Sequence, residues 1–206
     1  MIRDPKDLQR YNASERANHW VVGISFILLA LSGLAFFHPA FFPLTQLFGS
    51  PVWTRILHPY VGVLMALSFL SIFLRFRHLN KITPADKEWL AKAKNMVDGN
   101  DHDMPEQGKY NGGQKVMFWA AAACMLLMTV SGLAIWRAWF GFDVSLVRLG
   151  AVVHAATGAA MIGLIMVHVY AAIWVKGTVR AMWYGTVTRA WAKQHHRDWY
   201  RQMTGK

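Results

Sequence analysis

Four long apolar stretches, separated by polar ones, dominate the chain. They cover residues of about 18–38, 55–75, 115–136 and 149–175. Each is long enough to cross the hydrocarbon of a bilayer, which takes roughly 20 residues in a helix. The last, Leu149 to Val175, contains no Asp, Glu, Lys or Arg and is bracketed by Arg148 and Lys176. Hydrocarbon offers no water to unpaired backbone groups, so the pattern predicts an all-α fold: an integral membrane four-helix bundle, with residues 1–206 as a single membrane domain. Pro39, Pro43, Gly49 and Pro51 mark the turn between the first two spans. A polar loop from about Phe76 to Lys115 joins the second and third, and Gly141-Phe142-Asp143 lies between the third and fourth. The basic start followed by an apolar run has the outline of a secretory signal. The run is too long for one and Asp4 and Glu15 precede it, so the segment is expected to stay as a span.

Charge orients the bundle. Of 22 Lys and Arg residues, nineteen lie in the head, in the 75–115 loop and in the tail, and only Arg55, Arg137 and Arg148 lie elsewhere. That bias places both termini in the cytoplasm. Trp20, Trp53, Trp119, Trp136, Trp139 and Trp174 fall near span ends, as an aromatic belt does. The net charge of +11 is spread to suit anionic lipid headgroups, and no nucleic-acid motif accompanies it. In the tail, residues 176–206, Thr178–Gln202 interleaves Arg180, Arg189, Lys193, Arg197 and Arg201 with Trp183, Trp191 and Trp199. It reads as a basic amphipathic helix, on the membrane surface or against a soluble partner. The one cysteine, Cys124, excludes a disulfide, an iron–sulfur cluster and a C-x-x-C-H haem attachment within this chain.

The chemistry rests on histidine. His78, His102, His195 and His196 read as ordinary polar residues, and His38 as interfacial. The other four lie in the spans, where polar groups are expensive. His154 and His168 are 14 positions apart, about 21 Å along a helix and within about 40° of one face. The topology then pairs His58 with His154 in the outer half and His19 with His168 in the inner half. Two imidazoles at one depth on different helices suit the two axial positions of a haem. Zinc takes four ligands, and a proton relay gives no reason for depth-matched pairs. Glycine follows three of the four histidines at i+4: Gly23 after His19, Gly62 after His58 and Gly158 after His154. A glycine there leaves a flat ring room against the helix face. The blander account is histidines bonded to neighbouring helices and glycines that promote close helix packing. We expect two non-covalent b haems. His19-Trp20 with Ser32-Gly33-Leu34-Ala35, and Phe118-Trp119 with Ser131-Gly132-Leu133-Ala134, share one spacing. They hint at a duplicated helix pair in which the third span lost its histidine.

The chain resembles the cytochrome b (gamma) subunits of respiratory, membrane-bound formate dehydrogenases over nearly its whole length. The resemblance rests on R-x-x-H-W at Arg16–Trp20, R-I-L-H-P at Arg55–Pro59, G-K-Y-N-x-G-Q-K at Gly108–Lys115, the His154/His168 span, W-V-K-G at Trp174–Gly177 and A-W-A-K-x-H-H at Ala190–His196. It implies the same ligand pairs, His58/His154 and His19/His168. It also implies a quinone (menaquinone or ubiquinone) beside the inner haem at Asn111, Gly113 and His168. The partners implied are an iron–sulfur (beta) subunit and a catalytic (alpha) subunit, in the bacterial inner membrane, so that formate oxidation lies outside this chain. From the residues themselves, Asn111, the Gly112–Gly113 backbone and Gln114 offer donors to quinone oxygens, and Lys109 and Lys115 favour a developing anion. An ordinary Gly-Gly turn is the competing account. The rivals for the whole chain are the cytochrome b subunit of a hydrogenase or another quinone-reducing complex, and a haem-free transporter with a histidine proton relay.

Overall fold

The helices start where their caps are, several residues before the apolar runs begin. Helix α1 (Ala13–Phe37) opens on a reciprocal cap. Asn12 N donates to Glu15 Oε2 at 2.8 Å, and Glu15 N donates to Asn12 Oδ1 at 2.9 Å. The chain leaves α1 at His38, whose Nδ1 accepts from Ala40 N at 3.2 Å and starts a 3-10 segment, Pro39–Phe48. Gly49, at φ 90°, makes the turn that a side chain would strain. Ser50 Oγ then accepts from Trp53 N at 3.2 Å as α2 (Pro51–Phe76) begins. Two short helices follow, α3 (Pro84–Ala91) and α4 (Ala93–Val97). Helix α5 (Gly112–Ile135) opens on Asn111. Helix α6 (Val144–Trp174) opens on Asp143, whose carboxylate accepts from Ser145 N and Leu146 N. The computed structural model describes residues 4–98 and 104–205; Arg3, His102 and Lys206 lie outside them.

Four helices are long and apolar enough to cross a membrane: Ala13–Phe37, Pro51–Asn80 with its terminal 3-10 turn, Gly112–Ile135 and Val144–Trp174. The chain falls into two compact units. One holds Ala17–Leu74 and Ala121–Met166, and so the greater part of these four helices. In it, Asn18 Nδ2 donates to Ser68 O at 3.1 Å, tying α1 to α2. Gly150 lets α6 close on α5: a Cβ there would stand 3.1 Å from Ala134 Cβ. Its buried residues are small or slender, among them Ser25, Ser32, Ala35, Met125, Ser131 and Met161.

The other unit holds Met1–Arg16, Arg75–Ala120 and Val167–Lys206. Here the tail departs from the single amphipathic helix expected over Thr178–Gln202. It folds as α7 (Thr178–Tyr184), a strand β2 (Thr186–Val187), α8 (Arg189–His195) and α9 (Arg197–Thr204). Strand β2 pairs antiparallel with β1 (Leu8–Gln9). Gly177 and Gly185, both at positive φ, bracket α7 and end the helical period. Gly185 is further forced, because a Cβ there would lie 2.4 Å from Tyr11 O. Leu8, Ala181, Val187, Trp191, Ala192 and Trp199 form a core. Trp191 and Trp199 are therefore interior, at 7% and 5% exposure, and only Trp183, at 62%, faces outward. Arg180, read as a surface cation, is buried in an ion pair with Asp7.

Candidate functional site

His58 on α2 and His154 on α6 meet inside the four-helix unit. Their ring centroids are 6.1 Å apart with the planes 66° from parallel. Two imidazoles bound to one metal, with bonds of about 2.0 Å, hold their ring centres about 6 Å apart, so His58 and His154 are spaced as two residues that would hold one haem iron. Each ring is held from behind by a serine of the preceding helix. Ser32 Oγ on α1 is 2.7 Å from His58 Nδ1, and Ser131 Oγ on α5 is 3.0 Å from His154 Nδ1. Each ring also lies against the next residue. A Cβ at Gly33 would stand 3.5 Å from His58 Cε1, and one at Gly132 would stand 3.3 Å from His154 Cε1.

The surroundings of His58 are apolar on the Ser32 side. A cleft of about 400 Å³ opens beside His58 and Ser32, lined by Leu28, Leu47, Phe48, Leu57 and Val61. The glycines at i+4 from the histidines are less tightly packed than Gly150. A Cβ at Gly23 would meet nothing within 4 Å among the described residues. One at Gly62 would meet only Leu29 Cδ2 at 4.0 Å, and one at Gly158 only Met128, at 3.7 Å. Gly150, which does serve close packing, shows the contrast. Among the described residues no group of three or more His, Cys, Asp or Glu is placed to hold a metal ion.

His19 lies on α1 in the four-helix unit, edge-on to Trp20 at 5.9 Å. His168 lies on α6 in the other unit. The remaining histidines divide. His38 caps a 3-10 segment. His196, expected to be an ordinary solvated residue, is 1% exposed. Its Nδ1 is 2.8 Å from Gly108 O and its Nε2 is 3.4 Å from Arg10. Burial first, and then the neighbouring Arg10 charge, lowers its pKa to about 3, so it is neutral there.

The loop before α5 is built around the candidate quinone residues. Asn111 N donates to Gln114 Oε1 at 3.1 Å, and Gln114 N donates to Asn111 Oδ1 at 2.9 Å. Both side-chain oxygens are spent on the cap, which fixes the two amide groups as donors for anything else they meet. Gly112 and Gly113 lie under α3. A Cβ at Gly112 would be 2.7 Å from Asp86 O, and one at Gly113 would be 2.9 Å from the Trp89 ring. Lys115 corrects an expectation. Rather than presenting a free charge, its Nζ donates to buried Asp86 at 2.7 Å. Burial opposes ionisation of Asp86, but hydrogen bonds from Lys115 and Thr83 outweigh it and hold the carboxyl below its ordinary pKa. Lys109 lies 5.0 Å from the Tyr11 ring centre and 5.9 Å from that of Tyr110, and burial lowers its pKa. Arg10 mirrors it, 5.8 Å from Tyr11 and 5.7 Å from Tyr110, and donates to Lys109 O.

That mirror exposes a repeat longer than the one read from the sequence. Arg10-Tyr11-Asn12 and Lys109-Tyr110-Asn111 are offset by 99 residues, as are Ser32-Gly33 and Ser131-Gly132. Both copies begin a helix with the same reciprocal cap, Asn12/Glu15 and Asn111/Gln114. Both then supply the serine that holds a histidine. Ser32 and Ser131 were not singled out as site residues; their place in the repeat was the signal available.

The sequence profile of prokaryotic cytochrome b561 matches residues 10–185. The formate dehydrogenase cytochrome b556(fdo) subunit of Escherichia coli (strain K12) is 46% identical over 196 residues, 94% of this chain and 92% of that protein. The nitrate-inducible formate dehydrogenase cytochrome b556(Fdn) subunit of the same strain is 42% identical over 200 residues, 96% of this chain and 92% of that protein. The formate dehydrogenase cytochrome b556 subunit of Haemophilus influenzae is 36% identical over 195 residues, 94% and 82% of the two chains.

Proposed function

Because this membrane protein belongs to the prokaryotic cytochrome b561 family, we propose that it is the di-haem cytochrome b subunit of a formate dehydrogenase complex and passes electrons from an iron–sulfur partner to quinone. The observation that carries the reading is the His58/His154 pair, two imidazoles on different membrane-spanning helices with ring centres 6.1 Å apart. Bound haem supplies one-electron transfer at its iron; the protein supplies ligation, orientation and a dry surround. His58 and His154 hold the outer haem, and His19 and His168 hold the inner one, a pairing supported by histidine order along the four helices.

Quinone takes its electrons at the inner end. Asn111 and Gln114 turn amide NH2 groups to its carbonyl oxygens, with Gly113 and His168 beside them. The nineteen-to-three charge bias supports placing this end, with both termini, in the cytoplasm of a bacterial inner membrane. Proton uptake there, with the donor complex on the far side, makes turnover separate charge across the membrane. The relatives' names support formate dehydrogenase alpha and beta subunits as partners rather than a hydrogenase.

Haem content tests this. A pyridine haemochrome assay should return two non-covalent haems per chain. His58→Ala and His154→Ala should each deplete one of them, and His19→Ala and His168→Ala the other. If His58→Ala and His168→Ala removed the same haem, the pairing would be wrong.

A further inference from the structure

The two serines behind the histidine pair have their own protons committed. Ser32 Oγ donates to Leu28 O, one turn back, at 2.7 Å, and Ser131 Oγ donates to Leu127 O at 2.6 Å. A serine hydroxyl carries one proton and two lone pairs. With the proton bound to the helix carbonyl, the oxygen faces His58 Nδ1 at 2.7 Å and His154 Nδ1 at 3.0 Å as an acceptor only. An imidazole that donates from Nδ1 to such an oxygen keeps Nε2 as a bare lone pair, the form that binds iron; for His154 the Met128 carbonyl is a second acceptor. Each ring also approaches the glycine after its serine, with Cε1 3.5 and 3.3 Å from the Cβ positions of Gly33 and Gly132.

We propose that Ser32 and Ser131 are positioning residues for the His58/His154 haem, each fixing the tautomer and the ring plane of its histidine by accepting the Nδ1 proton. The duplicated Ser-Gly pair is thus a ligand seat, used once per half of the chain. An Nδ1–H bonded to an oxygen makes the imidazole a stronger electron donor at Nε2. Stronger donation stabilises ferric over ferrous iron and sets a lower potential for this haem. The inference rests on the reading of His58 and His154 as haem ligands.

The test uses the full chain in membranes, with redox titration and low-temperature EPR of the ferric low-spin signals. His58→Ala identifies which signal belongs to this site. Ser32→Ala and Ser131→Ala should each raise the midpoint potential of that haem and displace its EPR signal, while the other haem keeps both. Loss of that haem alone from a serine variant is the same dependence in stronger form. Wild-type or lowered potentials in both serine variants would overturn the proposal, as would equal disturbance of the two haems, which would mark the serines as general bundle contacts. Failure of the underlying reading is separate: His58→Ala would then retain two haems, whatever the serines do.

Discussion

Replacing Lys115 by methionine removes the partner of a carboxylate that has almost no contact with solvent. Asp86 is 1% exposed, and its Oδ2 accepts from Lys115 Nζ at 2.7 Å and from Thr83 N and Oγ1 at 2.7 Å each. Breaking a buried pair on one side costs about 3–5 kcal/mol, because the remaining charge is uncompensated. Protonation limits the loss: each unit by which the Asp86 pKa rises corresponds to about 1.4 kcal/mol at neutral pH. The sign of the pH dependence then inverts. In the wild type the folded pKa lies below the unfolded value, so the contribution of Asp86 is full above pH 3.8 and is lost only as the pH falls through the lower folded value. In Lys115→Met the folded pKa lies above 3.8, so the folded state binds the extra proton and the variant gains stability on acidification. Urea titrations of detergent-solubilised protein, followed by tryptophan fluorescence, should show a deficit of about 3–5 kcal/mol at pH 8 that shrinks to about 1 kcal/mol at pH 5. Adding Asp86→Asn, which keeps an oxygen for the Thr83 cap, should recover most of the deficit. A deficit under about 1 kcal/mol at pH 8, or one that stays constant between the two pH values, would refute the assignment of this pair as the clamp between α3 and the first turn of α5.

Two further outcomes follow from the same end of the molecule. Asn111→Asp keeps the oxygen that caps α5 and removes the amide donor, so haem content should stay at wild type while reoxidation of pre-reduced haem by quinone slows at least tenfold in stopped flow; wild-type reoxidation would take Asn111 out of the quinone site. A reporter fused after Lys206 should be active only in the cytoplasm, and activity outside would invert both the orientation and the direction of proton uptake.

Much of this was legible in the linear sequence because membrane-spanning helices report themselves one residue at a time. Hydrocarbon demands about 20 apolar residues per span, and the four runs at 18–38, 55–75, 115–136 and 149–175 satisfied it without any knowledge of neighbours. Histidines in such runs stand out for the same reason, and so His58 and His154 could be paired before their rings were placed. Span starts were misjudged by three to five residues, at Ala13, Pro51, Gly112 and Val144, because a helix begins at its capping residue rather than where hydropathy rises.

Tertiary structure decided what depends on who meets whom. That Trp191 and Trp199 are core while Trp183 is surface follows from strand β1 closing on β2, a contact between residues 8 and 187 that no local period encodes. Lys115 is a structural cation rather than a free charge because the fold brings Asp86 to it. Ser32 and Ser131 were visible in the sequence as a faint repeat, yet their chemistry required the distances to two imidazoles on other helices. Composition and period are properties of one segment, and a hydrogen bond between segments is a property of the packing alone.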